Sequence, residues 1–294
     1  MKYQEFIQDI KQYLSTQVDP SHKVVIQPVI KNNGTQLDGL IIFDPLLNIS
    51  PTIYLNPYYH RYLNGVSMED IYEDILNTYH EHLPQTDFDI SLFKDFEKAK
   101  ENILIKLVNF EKNKEILEDV PYVKFYDLAI IFVVAVSDFM HEYATILIHN
   151  QHLSFWNINE DELYQIAMKN TPNLLPYRLE PMDKLLESFD DSLPLLFDTK
   201  MYVLTNSIKI HGASCLTYPA LLQTLAKELN DDLLIIPSSI HELLILPLTD
   251  ASKEYSLLDY HEMIQEVNET QLTDDEVLTD HVYLYLQSTD KLIF

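Results

Sequence analysis

Cysteine is almost missing from this sequence. Cys215 stands alone among 294 residues, so the chain closes no disulfide within itself and offers at most one thiolate to a metal. That usage fits a reducing compartment, and a cytoplasmic location is expected. Glycine is nearly as scarce. Four glycines are too few to assemble a phosphate-cradling P-loop or a dinucleotide fingerprint, so no nucleotide or other cofactor is expected. Long apolar runs are absent too: the longest, Leu128 to Val136 (LAIIFVVAV), is far shorter than the roughly 20 residues of a membrane span. The opening MKYQEFIQDIKQYL carries charges every few residues and does not read as a signal peptide. Positive charge is the last shortage, with 20 Lys and Arg against 46 Asp and Glu and a formal net charge of −26. Such a surface repels phosphate backbones and anionic membranes and favours a basic protein partner. A solubilising exterior accounts for the same charge. Its sharper form is a nucleic-acid mimic, with carboxylates occupying a partner's nucleic-acid channel.

What is present is ample apolar content, 47%, enough for a packed core. The patterning predicts an α+β protein with mixed or antiparallel sheets and packed amphipathic helices. It forms one large domain or two intimately associated ones, an N-terminal half (1–171) and a C-terminal half (182–294), divided at the proline-rich stretch TPNLLPYRLEP. Phe6, Ile7, Ile10 and Leu14 mark a first helix. Strands over 24–30 and 36–43 flank Asn33-Gly34, a hairpin turn signal, and PTIYLN (51–56) reads as a third strand. Ser67 and Asp70 open a helix. The spacing from Leu92 to Leu117 predicts a longer helix, and 128–136 divides between helix and buried strand, with helix favoured. HEYATILIHNQHLSFW predicts a hairpin, and Asn159 and Glu162 cap a helix. The stretch from Met201 to Pro247 reads as two strands, a helix and two more strands (233–237 and 243–247). A capping box at Asp259 and Glu262, a short helix at 273–276 and a strand over 281–286 follow.

Two groups of residues carry the types that chemistry uses. His211, Ser214, Ser238, Ser239, His241 and Glu242 place hydroxyls, imidazoles and a carboxylate on turns between strands, which suits a hydrolase or transferase, although no Gly-x-Ser-x-Gly elbow is present. The same residues serve equally well as turn-forming groups that bond loop backbone. Cys215 lies among Ala213, Leu216 and Tyr218, an apolar setting for an inert thiol. His141, His149 and His152 are the candidates for a metal. No His-Glu-x-x-His occurs, a metal needs more converging ligands than these supply, and no metal is expected.

The segments KNNGTQLDGLIIF, ISPTIYLNPYY, ATILIHNQHL with TPNLLPYRLEPM, MYVLTNSIKIHGASCLTYP, DDLLIIPSSIHELLILP and VNETQLTDDEVLTDHVYLY resemble a bacterial family known as domain of unknown function 5688. The resemblance spans nearly the whole chain in order. It implies a cytoplasmic bacterial protein and carries over no catalytic residue. With no complete catalytic motif and a large acidic excess, the expectation is a non-catalytic, protein-binding or inhibitory module of a mobile-element or defence setting. The alternative is the hydrolase or transferase built on the 211–242 region.

Overall fold

The computed structural model describes residues 1–83, 94–136, 144–187 and 200–294. They belong to two units, Met1–Leu92 with Ser137–Ala144 and Phe93–Val136 with Thr145–Phe294. This division differs from the one expected at 172–181, a stretch that lies inside the second unit.

In the first unit, α1 (Tyr3–Gln17) buries Phe6, Ile7, Ile10 and Leu14, the stripe its periodicity dictates. Strands β1 (Lys23–Ile30) and β2 (Gln36–Phe43) pair antiparallel from Lys23↔Phe43 to Ile30↔Gln36. The chain reverses at Asn33 and Gly34, both at positive φ (59° and 70°), where these residues are tolerated best. β3 (Thr52–Tyr54) joins the other edge of β2. The strand expected over 51–56 stops there because α2 (Leu55–Leu63) begins, with Leu55 buried and Pro57 in the first turn, where a helix tolerates proline. α3 (Met68–Glu81) starts at Ser67, whose Oγ accepts the Asp70 N–H at 3.2 Å. Phe6, Ile10, Leu14, Leu40, Ile42, Leu55, Ile71 and Ile75 form the core between the helices and the sheet. Each contributes about 1.5–3 kcal/mol by leaving water.

The second unit holds two sheets. In one, β4 (Ile103–Asn109) and β5 (Tyr122–Phe125) flank β6 (Leu128–Val136), and β7 (Ala144–Leu147) also pairs with β6. The predicted long helix over 92–117 is not formed. Its Lys and Glu residues lie mostly in two short helices, α4 (Phe96–Ala99) and α5 (Lys114–Leu117), and their flanking turns, whereas 103–109 is a strand buried on both faces apart from Lys106. The run 128–136 is likewise a strand and not a helix. It is covered on both faces and paired with β4 from Ile103↔Val134 to Asn109↔Leu128, which is why it lacks alternation.

After β7 the predicted second hairpin strand is instead α6 (Asn150–Trp156). α7 (Glu160–Leu174) starts at Asn159, whose Oδ1 accepts the Glu162 N–H at 2.9 Å. It binds β4 through Thr171, whose Oγ1 accepts the Ile105 N–H at 3.0 Å and donates to Ala167 O at 2.6 Å. The proline-rich stretch is therefore the end of α7 and the strand β8 (Tyr177–Pro181), not a linker. α8 (Met182–Glu187) follows.

The larger sheet contains β9 (Tyr202–Asn206), β10 (Leu233–Pro237), β11 (Leu243–Pro247), β12 (Tyr283–Leu286) and β13 (Lys291–Ile293), ordered β13-β12-β10-β11-β9-β8. Between these strands lie α9 (Leu221–Leu229), α10 (Leu248–Glu254) and α11 (Leu257–Thr270). The second strand expected after β9 is a turn and a 3-10 segment, Gly212–Thr217. The capping box of α11 lies three residues before the expected one, because Ser256 and Asp259 form it, and 273–276 is a turn rather than a helix.

An acid-rich chain must place its carboxylates without many cations, and here tyrosine hydroxyls hold four of them. Tyr3 donates to Asp38 at 2.8 Å, Tyr72 to Asp9, Tyr283 to Asp127 and Tyr285 to Asp290. Burial first, and the adjacent carboxylate second, push the phenols of Tyr3, Tyr72 and Tyr283 well above their ordinary value and that of Tyr285 up to about 12. The folded state therefore holds these protons more tightly than the unfolded chain. Their stabilisation is complete below the ordinary phenol value of 10.0 and is lost as pH rises through the folded values. Phenolate absorbance and circular dichroism followed against pH should show ionisation of these tyrosines coinciding with loss of structure above that value. Denaturant unfolding should show Tyr283→Phe costing about 1–3 kcal/mol, since it strips a donor from the sheltered Asp127. Tyr285→Phe, whose partner Asp290 is exposed, should cost less.

Candidate functional site

β9 pairs with β11 through Val203↔Leu244 and Leu204↔Leu243, so the end of β9 meets the turn that precedes β11. Thr205 Oγ1 donates to His241 O at 2.8 Å, and the Ala213 N–H donates to Ile240 O at 3.3 Å. Between them His211 takes a left-handed backbone, φ 53°, and Gly212 presses against the turn. A Cβ on Gly212 would lie 2.1 Å from Thr205 Oγ1 and 2.4 Å from His241 O, so only glycine fits.

The six residues of the expected hydrolase set lie along the two segments that meet at this joint. Ser214, 1% exposed, donates to His211 O at 2.8 Å and is 3.3 Å from Ile105 O. Ser239 Oγ accepts the His241 N–H at 3.0 Å. The backbone N–H groups of Ser238 and Ser239 both donate to Glu242 O, at 3.2 and 3.3 Å. The rings of His211 and His241 stack with centroids 5.5 Å apart and 12° between planes, and the His211 N–H donates to His241 Nδ1 at 3.2 Å.

The hydroxyls of Ser214 and Ser239 are thus spent on backbone, and neither bonds an imidazole. Acyl transfer needs a nucleophile in hydrogen-bond reach of its base. The arrangement supplies instead a knot that ties β9, β11 and the 3-10 segment together, the turn-forming role open to these residues from the start. Cys215 is held in a similar way: its Sγ donates to Thr205 O at 3.3 Å, and burial pushes the thiol up to about 12, which disfavours the thiolate.

Burial, followed by the charges of Lys106 and His241, pulls the His211 imidazole down to about 3. His241 is also lowered, by burial first; Lys106 adds to this while Glu276, Glu242 and Asp275 oppose it. His211 Nδ1 is buried without a hydrogen-bond partner. Both rings pack as neutral groups.

The metal candidates fare differently. His141 lies outside the described residues. His149 and His152, expected on opposite sides of a hairpin turn, sit at the start of α6, their rings 5.7 Å apart. His149 Nδ1 faces Asp119 Oδ2 at 2.8 Å, and the His149 N–H donates to His152 Nδ1 at 2.9 Å. They act as caps for the helix. His152 stacks on Trp156 and is lowered by burial first and His149 second, against Asp119. Among the described residues no group of three or more His, Cys, Asp and Glu could hold a metal ion.

The feature that the sequence reading passed over is α11. Tyr260, Ile264 and Asn268 bury one side of it, while Asp259, Glu262, Glu266 and Glu269 stand exposed on the other. Spaced by three, four and three residues, they form one row about 15 Å long. Ser256 engages Asp259 through its hydroxyl and N–H and holds that carboxyl below its ordinary range. The carboxylates of the three glutamates have no hydrogen-bond partner among the described residues, and α11 contains no Lys or Arg. The surroundings match: residues 228–294 carry 15 Asp and Glu against only Lys253 and Lys291, half of the net charge of the chain. The signal in the sequence is the spacing itself, in which Glu262 also reads as part of a cap.

Fold and surface together define an acidic α+β protein of antiparallel sheets. The family model described as "Family of unknown function (DUF5688)" matches residues 3–287, and the chain belongs to that family. No curated protein and no solved structure matches it. Among the described residues no helix is long and apolar enough to cross a membrane.

Two outcomes test the joint. Gly212→Ala should destabilise the protein by about 2–4 kcal/mol in urea unfolding, because the atoms it meets are backbone and a bonded hydroxyl. The lowered histidines bind protons more tightly unfolded than folded, so their contribution is full above 6.5 and is lost as pH falls towards about 3. His211→Asn, which keeps a residue tolerant of positive φ, should flatten that acid limb in unfolding curves measured across the range.

Proposed function

We propose that this protein is a non-catalytic binding module that docks a basic protein partner on the acidic row of α11. The observation that carries the reading is that the row works against its own helix. Like charges at i, i+3 and i, i+4 each cost a few tenths of a kcal/mol. Glu269 adds a negative charge at the negative end of the helix dipole, where the last turn has no basic residue. Packing of Tyr260 and Ile264 offsets these costs, and a partner's cations would repay them.

An inhibitory role follows if the surface engaged is one the partner uses for another ligand. In its sharper form the row stands in for phosphates in a nucleic-acid channel. Rim charges of this kind raise association rates and make binding sensitive to salt. The single buried thiol is in keeping with work in the cytoplasm.

A labelled lysine-rich and arginine-rich peptide titrated at low and high salt provides the test. The variant Glu262→Gln, Glu266→Gln, Glu269→Gln should weaken binding severalfold at low salt while raising helix stability slightly. A variant of equal charge change at exposed positions elsewhere, Glu111→Gln, Glu115→Gln, Glu118→Gln, should leave binding nearly intact. Equal losses in both would reduce the attraction to net charge and sink the reading. Competition by duplex DNA for a captured partner would single out the mimic form.

A further inference from the structure

Among the described residues three pairs of histidine rings touch: His149 with His152, His211 with His241, and His261 with His281. A neutral imidazole has one N–H and one lone pair, so the partner at Nδ1 decides what Nε2 offers. In the first pair His152 Nδ1 accepts a backbone N–H, as His241 Nδ1 does in the second. Both rings must then carry their proton on Nε2, and neither presents a lone pair there.

The third pair is reversed. His261 Nδ1 lies 2.6 Å from the carbonyl oxygen of Asp280, which only accepts, so Nδ1 holds the proton. His281 Nδ1 lies 3.2 Å from Asp127 Oδ2 and 3.2 Å from Thr279 Oγ1. Thr279 gives its own proton to Asp127 and accepts the His281 backbone N–H at 3.2 Å, so both oxygens facing Nδ1 are acceptors. Tyr283 fixes the other oxygen of Asp127. Each Nε2 therefore keeps a bare lone pair, and neither is engaged by a described residue.

A carbonyl or carboxylate behind the ring is the support that metal-bound imidazoles have. The centroids of the two rings are 5.5 Å apart. Two imidazoles bound through Nε2 at about 2.0–2.1 Å to one tetrahedral ion place their centres roughly 5–5.5 Å apart. The His281 side chain is 53% exposed and His261 is half-buried, so an ion reaches the pair from solvent.

We propose that His261 and His281 bind one divalent transition-metal ion, of the zinc, nickel or copper class, through their Nε2 atoms, with water in the remaining positions. Imidazole selects these ions over calcium and magnesium, which prefer oxygen. With two protein ligands the site is open and its affinity modest. It is independent of the docking reading, since it uses neither the glutamates of α11 nor a partner.

The test is calorimetric titration of the full chain with zinc chloride in a non-chelating buffer. One equivalent should bind, His261→Gln and His281→Gln should each weaken it at least tenfold, and His152→Gln should not. Excess calcium should fail to displace it. Absence of binding, indifference to both variants, or displacement by calcium would each overturn the site. Because His281 sits against the sheltered Asp127, a second measurement uses the unaltered chain. Nitrogen-15 spectra of its imidazoles should show His261 and His281 in the Nδ1–H form without metal and both Nε2 resonances shifting on addition of zinc. A ring in the Nε2–H form, or an unshifted pair, overturns the proposal equally.

Discussion

The constraint on which the rest of this structure depends is the shortage of cations. A chain with a formal charge of −26 folds only if apolar burial outweighs self-repulsion and if the carboxylates that must approach the body find neutral donors. Tyrosine supplies them, since a phenol brings an apolar ring to the core and a hydroxyl to the acid. Asp127 shows the arrangement at its densest. It lies between β5 and β6, only 15% exposed, and receives Tyr283 and Thr279 while His281 leans on it. The same aspartate that ties β12 to the turn between β5 and β6 also orients an imidazole, so packing and chemistry at this point have one cause.

The acidic row of α11 is the counterpart. Where carboxylates are engaged by the body they stabilise it, as Asp259 does in its capping box with Ser256. Glu262, Glu266 and Glu269 do nothing of the kind. They stand in mutual repulsion on the face opposite Tyr260 and Ile264, and the helix persists because that buried face holds it.

Polar residues set in apolar surroundings invite a catalytic reading, and at the joint beside Gly212 three of their hydroxyls bond backbone. Thr205 and Ser239 each satisfy a backbone group of His241, and Ser214 adds its hydroxyl to a His211 carbonyl that already accepts the Ser214 N–H. His211 keeps its backbone N–H bonded to its stacked neighbour while its own Nδ1 goes unpaired. The hydroxyls and imidazoles were visible in the sequence. Their directions were not.

Local signals were legible wherever the physics is local. The spacing of Phe6, Ile7, Ile10 and Leu14, the caps at Ser67 and Asn159, the Asn33-Gly34 reversal and the strands 233–237 and 243–247 all involve residues a few positions apart, and all are present. The class, α+β with antiparallel sheets, follows from them, whereas family membership rests on the match over residues 3–287. Misreadings arose where burial on both faces erases periodicity, at 103–109 and 128–136, and where helix and strand compete over a short run, at 150–156. Composition determined the charge, the lone thiol and the absence of glycine-rich loops before any folding. Only tertiary structure decided which carboxylates are consumed by tyrosines and which remain in a row. It alone brought His261 beside His281, because hydrogen-bond direction and the meeting of distant strands are set by the packed chain and not by neighbours along it.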